Sequence, residues 1–259
     1  VPLPVPFYIF AFILGAVVGS FLNVCICRMP ENRSVVFPPS ACPKCGYQLR
    51  WYDNIPFLSF ILLRAKCRSC HAPISWRYPL VEGLNGLLTL LLFMKFGVSL
   101  TFLAMFILCS SLVVITFIDL DHQIIPDEIS LPGIAVGFLF ALFLPWNGWL
   151  NSLLGILCGG GSLFLVAWGY EKLTGKEGMG GGDIKLLAMM GAFLGWRSIL
   201  FIIFAASLIG SVIGVTAMLI QKKDGKLAIP FGPFLAFGAI LYIFYGRQII
   251  HWYLSIGRL

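Results

Sequence analysis

The chain has 259 residues, 59% of them hydrophobic and only 11% charged, with a mean hydropathy of +0.93. Soluble domains carry roughly 25% charged residues, so a water-soluble globular fold is excluded. Uncharged runs recur along the whole chain, which also excludes a lone signal peptide. The formal net charge is +7. It favours an anionic lipid surface over nucleic acid, because no compact basic groove is offered outside one loop.

The first uncharged run, 7–27, matches the roughly 20 residues that cross a bilayer. Val1 stands where a methionine would initiate the chain, so a few preceding residues are expected. Segment 28–78 then holds eight of the eighteen basic residues: Arg28, Arg33, Lys44, Arg50, Arg64, Lys66, Arg68 and Arg77. A second span begins near Leu80, carries Glu82 at its edge and ends at Lys95. Further runs follow at 98–118 and 129–170; the latter is too long for one helix, and Pro145-Trp146-Asn147-Gly148 divides it as a tight turn would. A short span from Ile184 to Trp196 and runs at 198–220 and 227–246 complete the set. No alternating polarity of barrel strands is present, so about eight transmembrane helices are expected.

With eight spans, Lys172, Lys176, Lys185, Lys222, Lys223 and Lys226 join the basic loop on one side. Lys95, Arg197, Arg247 and Arg258 remain on the other. This bias places the loop and its companions in the cytoplasm and both termini outside.

Eight cysteines fall into two groups. Cys25, Cys27, Cys109 and Cys158 lie in apolar runs, where cysteine acts as a small hydrophobe. Cys42-Pro-Lys-Cys45 and Cys67-Arg-Ser-Cys70 form two knuckles that suit a tetrahedral four-thiolate zinc site. Redox pairs and free thiols are the alternatives, and a cytoplasmic setting disfavours disulfides. His71 follows Cys70 and competes as a ligand. Zinc in a closed site is structural, and it would let a loop too small for its own core fold. The fold class is thus an all-α polytopic membrane protein with a small cytoplasmic zinc-binding loop domain.

Carboxylates at the edge of apolar spans by default mark function. Asp119 and Asp121 end the third span, with Asp127 and Glu128 after Pro126, and Asp183 follows Gly180-Gly181-Gly182. Both clusters fall on the cytoplasmic side. Two carboxylates from separate helices are what aspartyl proteolysis requires: one accepts a proton from attacking water, the other donates to the carbonyl oxygen. Blander roles stay open. Asp127 reads as the N-cap of the fourth helix, Asp121 as a hydrated loop charge, and Asp183 as a helix cap. A transporter with carboxylate ion sites is the competing class.

The chain resembles the bacterial type IV prepilin peptidase and N-methyltransferase family over nearly its whole length. The resemblance rests on Gly19-Ser20-Phe21-Leu22-Asn23-Val24 with Arg28-Met29-Pro30, on both cysteine knuckles, and on Trp51-Tyr52-Asp53-Asn54-Ile55-Pro56. It rests equally on the run from Pro73 to Glu82, the stretch Asp119 to Asp127, and the GxGD motif ending at Asp183. It implies a membrane aspartyl peptidase of the bacterial inner membrane that removes the basic leader of prepilins and pseudopilins. It also implies methylation of the new N-terminal residue, commonly Phe, by S-adenosylmethionine. Asp119 and Asp183 are the implied catalytic pair, with Asp121 in reserve. The implied organisation is a first helix over 1–27, a methylation domain over 28–79 and a peptidase domain over 80–259. No nucleotide-binding glycine motif is visible; Asn23, Asp53, Arg77 and Glu82 lie near the right boundary to shape the methyl-transfer site.

Overall fold

The computed structural model describes residues 4–175, 180–221 and 230–256. Lys176, Lys222, Lys223, Lys226 and Arg258, counted in the charge bias, lie outside them, as does the start of the 227–246 run. Among the described residues the fold is helical and without strands; two isolated bridges pair Ala41 with Gln48 and Lys66 with Pro73. The chain divides into two compact units, 1–114 and 115–259.

The first unit begins with α1 (Val5–Arg28), whose start is set by Pro4 and Pro6, since proline needs no N–H partner in a first turn. Met29–Glu31 adds a 3-10 turn closed by the left-handed Asn32. After the cysteine loop, with a 3-10 turn at Trp51–Asn54 and a short α2 (Leu58–Leu62), α3 runs from Arg77 to Phe96. Apolar burial does not hold helices together in lipid, and here polar and small residues do so. Asn85 Nδ2 donates to Gly15 O at 2.7 Å, Ser110 Oγ donates to Asn85 Oδ1 at 3.0 Å, and Asn23 Nδ2 donates to Tyr78 O at 3.2 Å.

α4 (Leu100–His122) carries the chain into the second unit, which continues with α5 (Asp127–Ala141), α6 (Gly148–Thr174), α7 (Gly181–Leu194), α8 (Trp196–Gln221) and α9 (Gly232–Ile256). Every residue from Leu186 to Leu194 is buried, and α7 touches α5, α6, α8 and α9. Beyond Lys185 it is apolar all round because that stretch is the core of this unit. At 14 residues it rises only about 21 Å, short of a full bilayer core. α6 and α7 approach backbone to backbone where Gly155 meets Gly191, and a side chain at either would strike the other's carbonyl group. Asn147, in the turn expected at 145–148, is buried and donates to both Ala192 O and Phe193 O at the end of α7.

Among the described residues six helices, α1, α3, α4, α6, α8 and α9, are long and apolar enough to cross a membrane. α5 and α7, of 15 and 14 residues, fall at the two remaining expected spans but are shorter than the others. Large apolar side chains such as Phe10, Leu157, Phe164, Leu200 and Phe204 are exposed on the outer helix faces, where lipid rather than water suits them. The chain is a polytopic membrane protein.

Candidate functional site

Asp119 lies on α4, which continues a turn past the apolar run instead of ending at it. The residue is only 5% exposed. Its Oδ2 accepts the amide N–H of Gly232 at 2.9 Å. Gly232 opens α9, so this is one of the N–H groups that a helix leaves without an internal partner, at its positive end. Asp183 sits in the first turn of α7. The helix has Gly180 at its N-cap and no side-chain cap bond, so the cap reading of Asp183 does not hold. Its Oδ1 is buried without a hydrogen-bond partner, and Ile125 packs against both Gly182, next to Asp183, and Gly232, whose amide Asp119 accepts. The two carboxylates from the two motifs are therefore brought to one place.

Glycine makes that place possible. A Cβ at Gly232 would lie 2.6 Å from Asp119 Oδ2, and one at Gly182 would lie 2.8 Å from Ile125 Cβ. The Ile125 side chain thus wedges between the starts of α7 and α9. Neither Gly232 nor Ile125 was singled out in the sequence. The Gly232-Pro233 pair, a helix-start signal inside an apolar run, is the mark that points to the former.

The other acidic residues of the cluster separate. Asp121 and Glu128 are exposed. Asp127 is the first residue of α5 and not its cap; Pro126 holds that position and no side-chain cap bond forms. Instead both oxygens of Asp127 accept from Lys185 Nζ at 2.7 Å. That ion pair ties the start of α5 to α7, two residues beyond Asp183.

The four loop cysteines converge, with all Sγ atoms within 4.8 Å of one another. Cys42 and Cys70 are 3.8 Å apart, and Cys45 and Cys67 are 3.9 Å apart. A tetrahedral metal with bonds of about 2.3 Å requires sulfur–sulfur edges of about 3.8 Å, so the cluster fits a metal ion. The two knuckles are built alike. Gly46 N–H donates to Cys42 O and His71 N–H to Cys67 O, while Cys42 N–H donates to Tyr47 O and Cys67 N–H to Ala72 O. Gly46 and His71 occupy the same turn position with φ of 70° and 56°. His71 thus serves as the turn residue of its knuckle and is not a member of the cluster. Backbone N–H groups of Cys45 and Lys44 face the Cys42 sulfur and lower its pKa to about 6, which favours the metal-binding thiolate.

Of the residues near the loop boundary, Asp53 is held within the loop. Its Oδ1 accepts Arg68 Nε at 3.0 Å and Nη2 at 2.7 Å, and its Oδ2 accepts the Arg50 N–H at 3.2 Å. Arg68, inside the second knuckle, is thereby fixed to the 51–54 turn; the aspartate raises its pKa further. Arg77 opens α3. Asn23 bridges from α1 to Tyr78 O. Glu82 is 7% exposed and accepts the Phe57 N–H at 3.1 Å. Phe57 has the left-handed φ of 59°, and its ring stacks on Phe12 of α1. Segment 51–57 is thus seated on α1 and α3, with Asn23 and Glu82 on those facing helices.

Comparison with known proteins adds to this geometry. The model of the bacterial peptidase A24 N-terminal domain matches residues 13–96, and that of the type IV leader peptidase family matches residues 106–215. A prepilin leader peptidase/N-methyltransferase of Stutzerimonas stutzeri is 39% identical over 279 residues, covering 99% of this chain and 96% of its own length. One from Pseudomonas aeruginosa is 37% identical, covering 98% and 96%. One from Myxococcus xanthus is 43% identical over 219 residues, and the chain spans 65% of that relative's length. No solved structure matches. On these grounds the chain belongs to the type IV leader peptidase family.

Proposed function

We propose that this protein is a bifunctional enzyme of the bacterial inner membrane. It cleaves the basic leader from type IV prepilins and type II secretion pseudopilins, then methylates the exposed N-terminal residue with S-adenosylmethionine as methyl donor. The observation that carries the reading is the gathering of Asp119 on α4 and Asp183 on α7 around Ile125 and Gly232, with one oxygen of Asp183 buried and unbonded. One carboxylate, ionised, takes a proton from the water that attacks the scissile carbonyl. The other, protonated, donates to the carbonyl oxygen as the tetrahedral intermediate forms. The pair titrates as a unit. The Gly232 amide occupies one oxygen of Asp119 and orients it. Bare glycine at 180 and 181, with open space beside both, leaves room for a substrate backbone.

The organisation in this reading is a first helix over 1–27, a methylation domain over 28–79 and a peptidase domain over 80–259. Cys42, Cys45, Cys67 and Cys70 hold one structural zinc, which cross-links two knuckles in a loop with few buried residues. Asn23, Asp53, Arg77 and Glu82 are the residues offered for the methyl-transfer site. The excess of lysine and arginine puts the loop and both aspartates on the cytoplasmic side, where a basic leader resides.

The test is leader cleavage of a prepilin in liposomes by wild type, Asp119→Asn and Asp183→Asn. Mass spectrometry of the product's N-terminus, with and without S-adenosylmethionine, reads both activities. Wild type should cut and add one methyl group, and both variants should leave the leader intact. A variant that cuts at the normal rate overturns the pairing; an inactive wild type overturns the function.

A further inference from the structure

Glu82 is a carboxylate that the peptidase chemistry does not use. It sits one turn into α3, buried where three pieces of the first unit meet. Gly19 of α1 lies so close that a Cβ there would be 2.8 Å from the Glu82 Cα. Ser20 Oγ of α1 donates to Asn54 O at 3.4 Å, which ties segment 51–57 to α1 beside the carboxylate. The Phe57 N–H occupies Oε2. Among the described residues Glu82 has no lysine or arginine partner, unlike Asp53 and Asp127. A carboxylate has about four acceptor sites, and burying one without a cation is costly. The site is thus an acceptor-rich niche for a positively charged group, walled by α1, α3 and segment 51–57.

From this geometry we propose that Glu82 is the general base of methyl transfer: it binds the ammonium of the newly cut N-terminus and removes one of its protons. This rests on the proposed methyl-transfer function. The freed α-amine is mostly protonated below its usual pKa of about 7.7–8.0, and an ammonium has no lone pair with which to attack. Proton transfer to Glu82 leaves a neutral amine. Its lone pair forms the N–C bond to the donor methyl as the C–S bond breaks, and that electron pair returns to sulfur. The sulfonium charge passes to the product, a secondary ammonium, and Glu82 returns its proton to water. The Phe57 amide is the positioning group that holds the carboxylate.

Glu82→Gln tests the role in the full-length protein, because the amide oxygen can still accept the Phe57 N–H while the group cannot take a proton. With a prepilin and S-adenosylmethionine in liposomes, the variant should cleave as wild type does and retain its metal. It should methylate at least about a hundredfold more slowly, in the usual range for loss of a general base. Its residual methylation should climb about tenfold per pH unit up to the amine's own pKa near 8, a dependence that wild type lacks. Methylation at close to the wild-type rate overturns the proposal, as does a loss that is flat with pH. Loss of cleavage and metal together with methylation also overturns it, by making Glu82 only the seat of the loop. A wild type that cleaves without methylating removes the underlying function itself; equal methylation by both proteins removes only the role of Glu82.

Discussion

Asp119 and Gly232 are joined by a 2.9 Å hydrogen bond, amide to carboxylate, that closes 113 residues of chain. It links the end of α4 to the first N–H of α9, so the position of one catalytic candidate depends on a helix far from either acidic motif. Gly232→Ala puts a methyl carbon 2.6 Å from Asp119 Oδ2, closer than the two atoms can stand, so the carboxylate must shift. A displacement of about 1 Å in a catalytic group can lower a rate roughly a hundredfold. Leader cleavage by Gly232→Ala should fall by about that factor, with unchanged helix content and metal. Cleavage at the wild-type rate would show that this bond does not position Asp119.

The Asp127–Lys185 pair is half-exposed on both sides, and such surface pairs contribute only about 0–1 kcal/mol to stability. Its use is to fix the first turn of α7, which carries Asp183. Lys185→Met should therefore leave the melting temperature nearly unchanged and lower kcat for leader cleavage several-fold, with little change in KM. The reversed pair, Asp127→Lys with Lys185→Asp, should recover most of the loss. Failure of the reversal to rescue would assign the effect to Lys185 itself.

Much of this architecture could be read from the sequence because hydropathy in a membrane protein is a strong signal. Spans at 7–27, 98–118 and 198–220 correspond to α1, α4 and α8 within a few residues. The aspartates and cysteines stood out because ionisable and metal-ligating residues are rare in this composition. What could not be read is what depends on chain-distant contacts. Asp127 looked like a cap by its place after Pro126, yet its partner is 58 residues away. His71 looked like a ligand by adjacency, yet it repeats the turn position of Gly46, a likeness visible only in backbone torsions. Asn147 looked like a turn former, yet its side chain caps α7.

The cysteine cluster carries a prediction for metal-free protein. Amides facing Cys42 bring its pKa down to about 6, whereas Cys70 is pushed up to about 11. The Ala72 backbone N–H acts to lower Cys70, but loss of hydration and the neighbouring thiols outweigh it. A thiol with a lowered pKa has its thiolate present above that value, so at pH 7 Cys42 is mostly ionised and Cys70 is not. After chelation, iodoacetamide at pH 7 should modify Cys42 before Cys70, as peptide mass spectrometry can read. Raising the pH towards 11 should erase the difference, and adding zinc should protect both. Equal labelling at pH 7 would contradict the assigned order.

The end of α7 offers a stability test independent of catalysis. Asn147 Nδ2 donates to Ala192 O at 3.1 Å and Phe193 O at 3.0 Å, and Ser152 Oγ also donates to Ala192 O at 2.8 Å. Both side chains are buried. Asn147→Ala therefore orphans the Phe193 carbonyl alone, because Ser152 still serves Ala192. Leaving one buried acceptor unpaired costs about 1–3 kcal/mol. Asn147→Ala with Ser152→Ala orphans both carbonyls, so its loss should exceed the sum of the single losses. Thermal unfolding in detergent, followed by a metal-independent probe, should show this non-additivity. Below the lowered melting temperature, leader cleavage should be unchanged, since α7 keeps Asp183 at its opposite end. Strict additivity would mean that the two donors do not back each other up at Ala192.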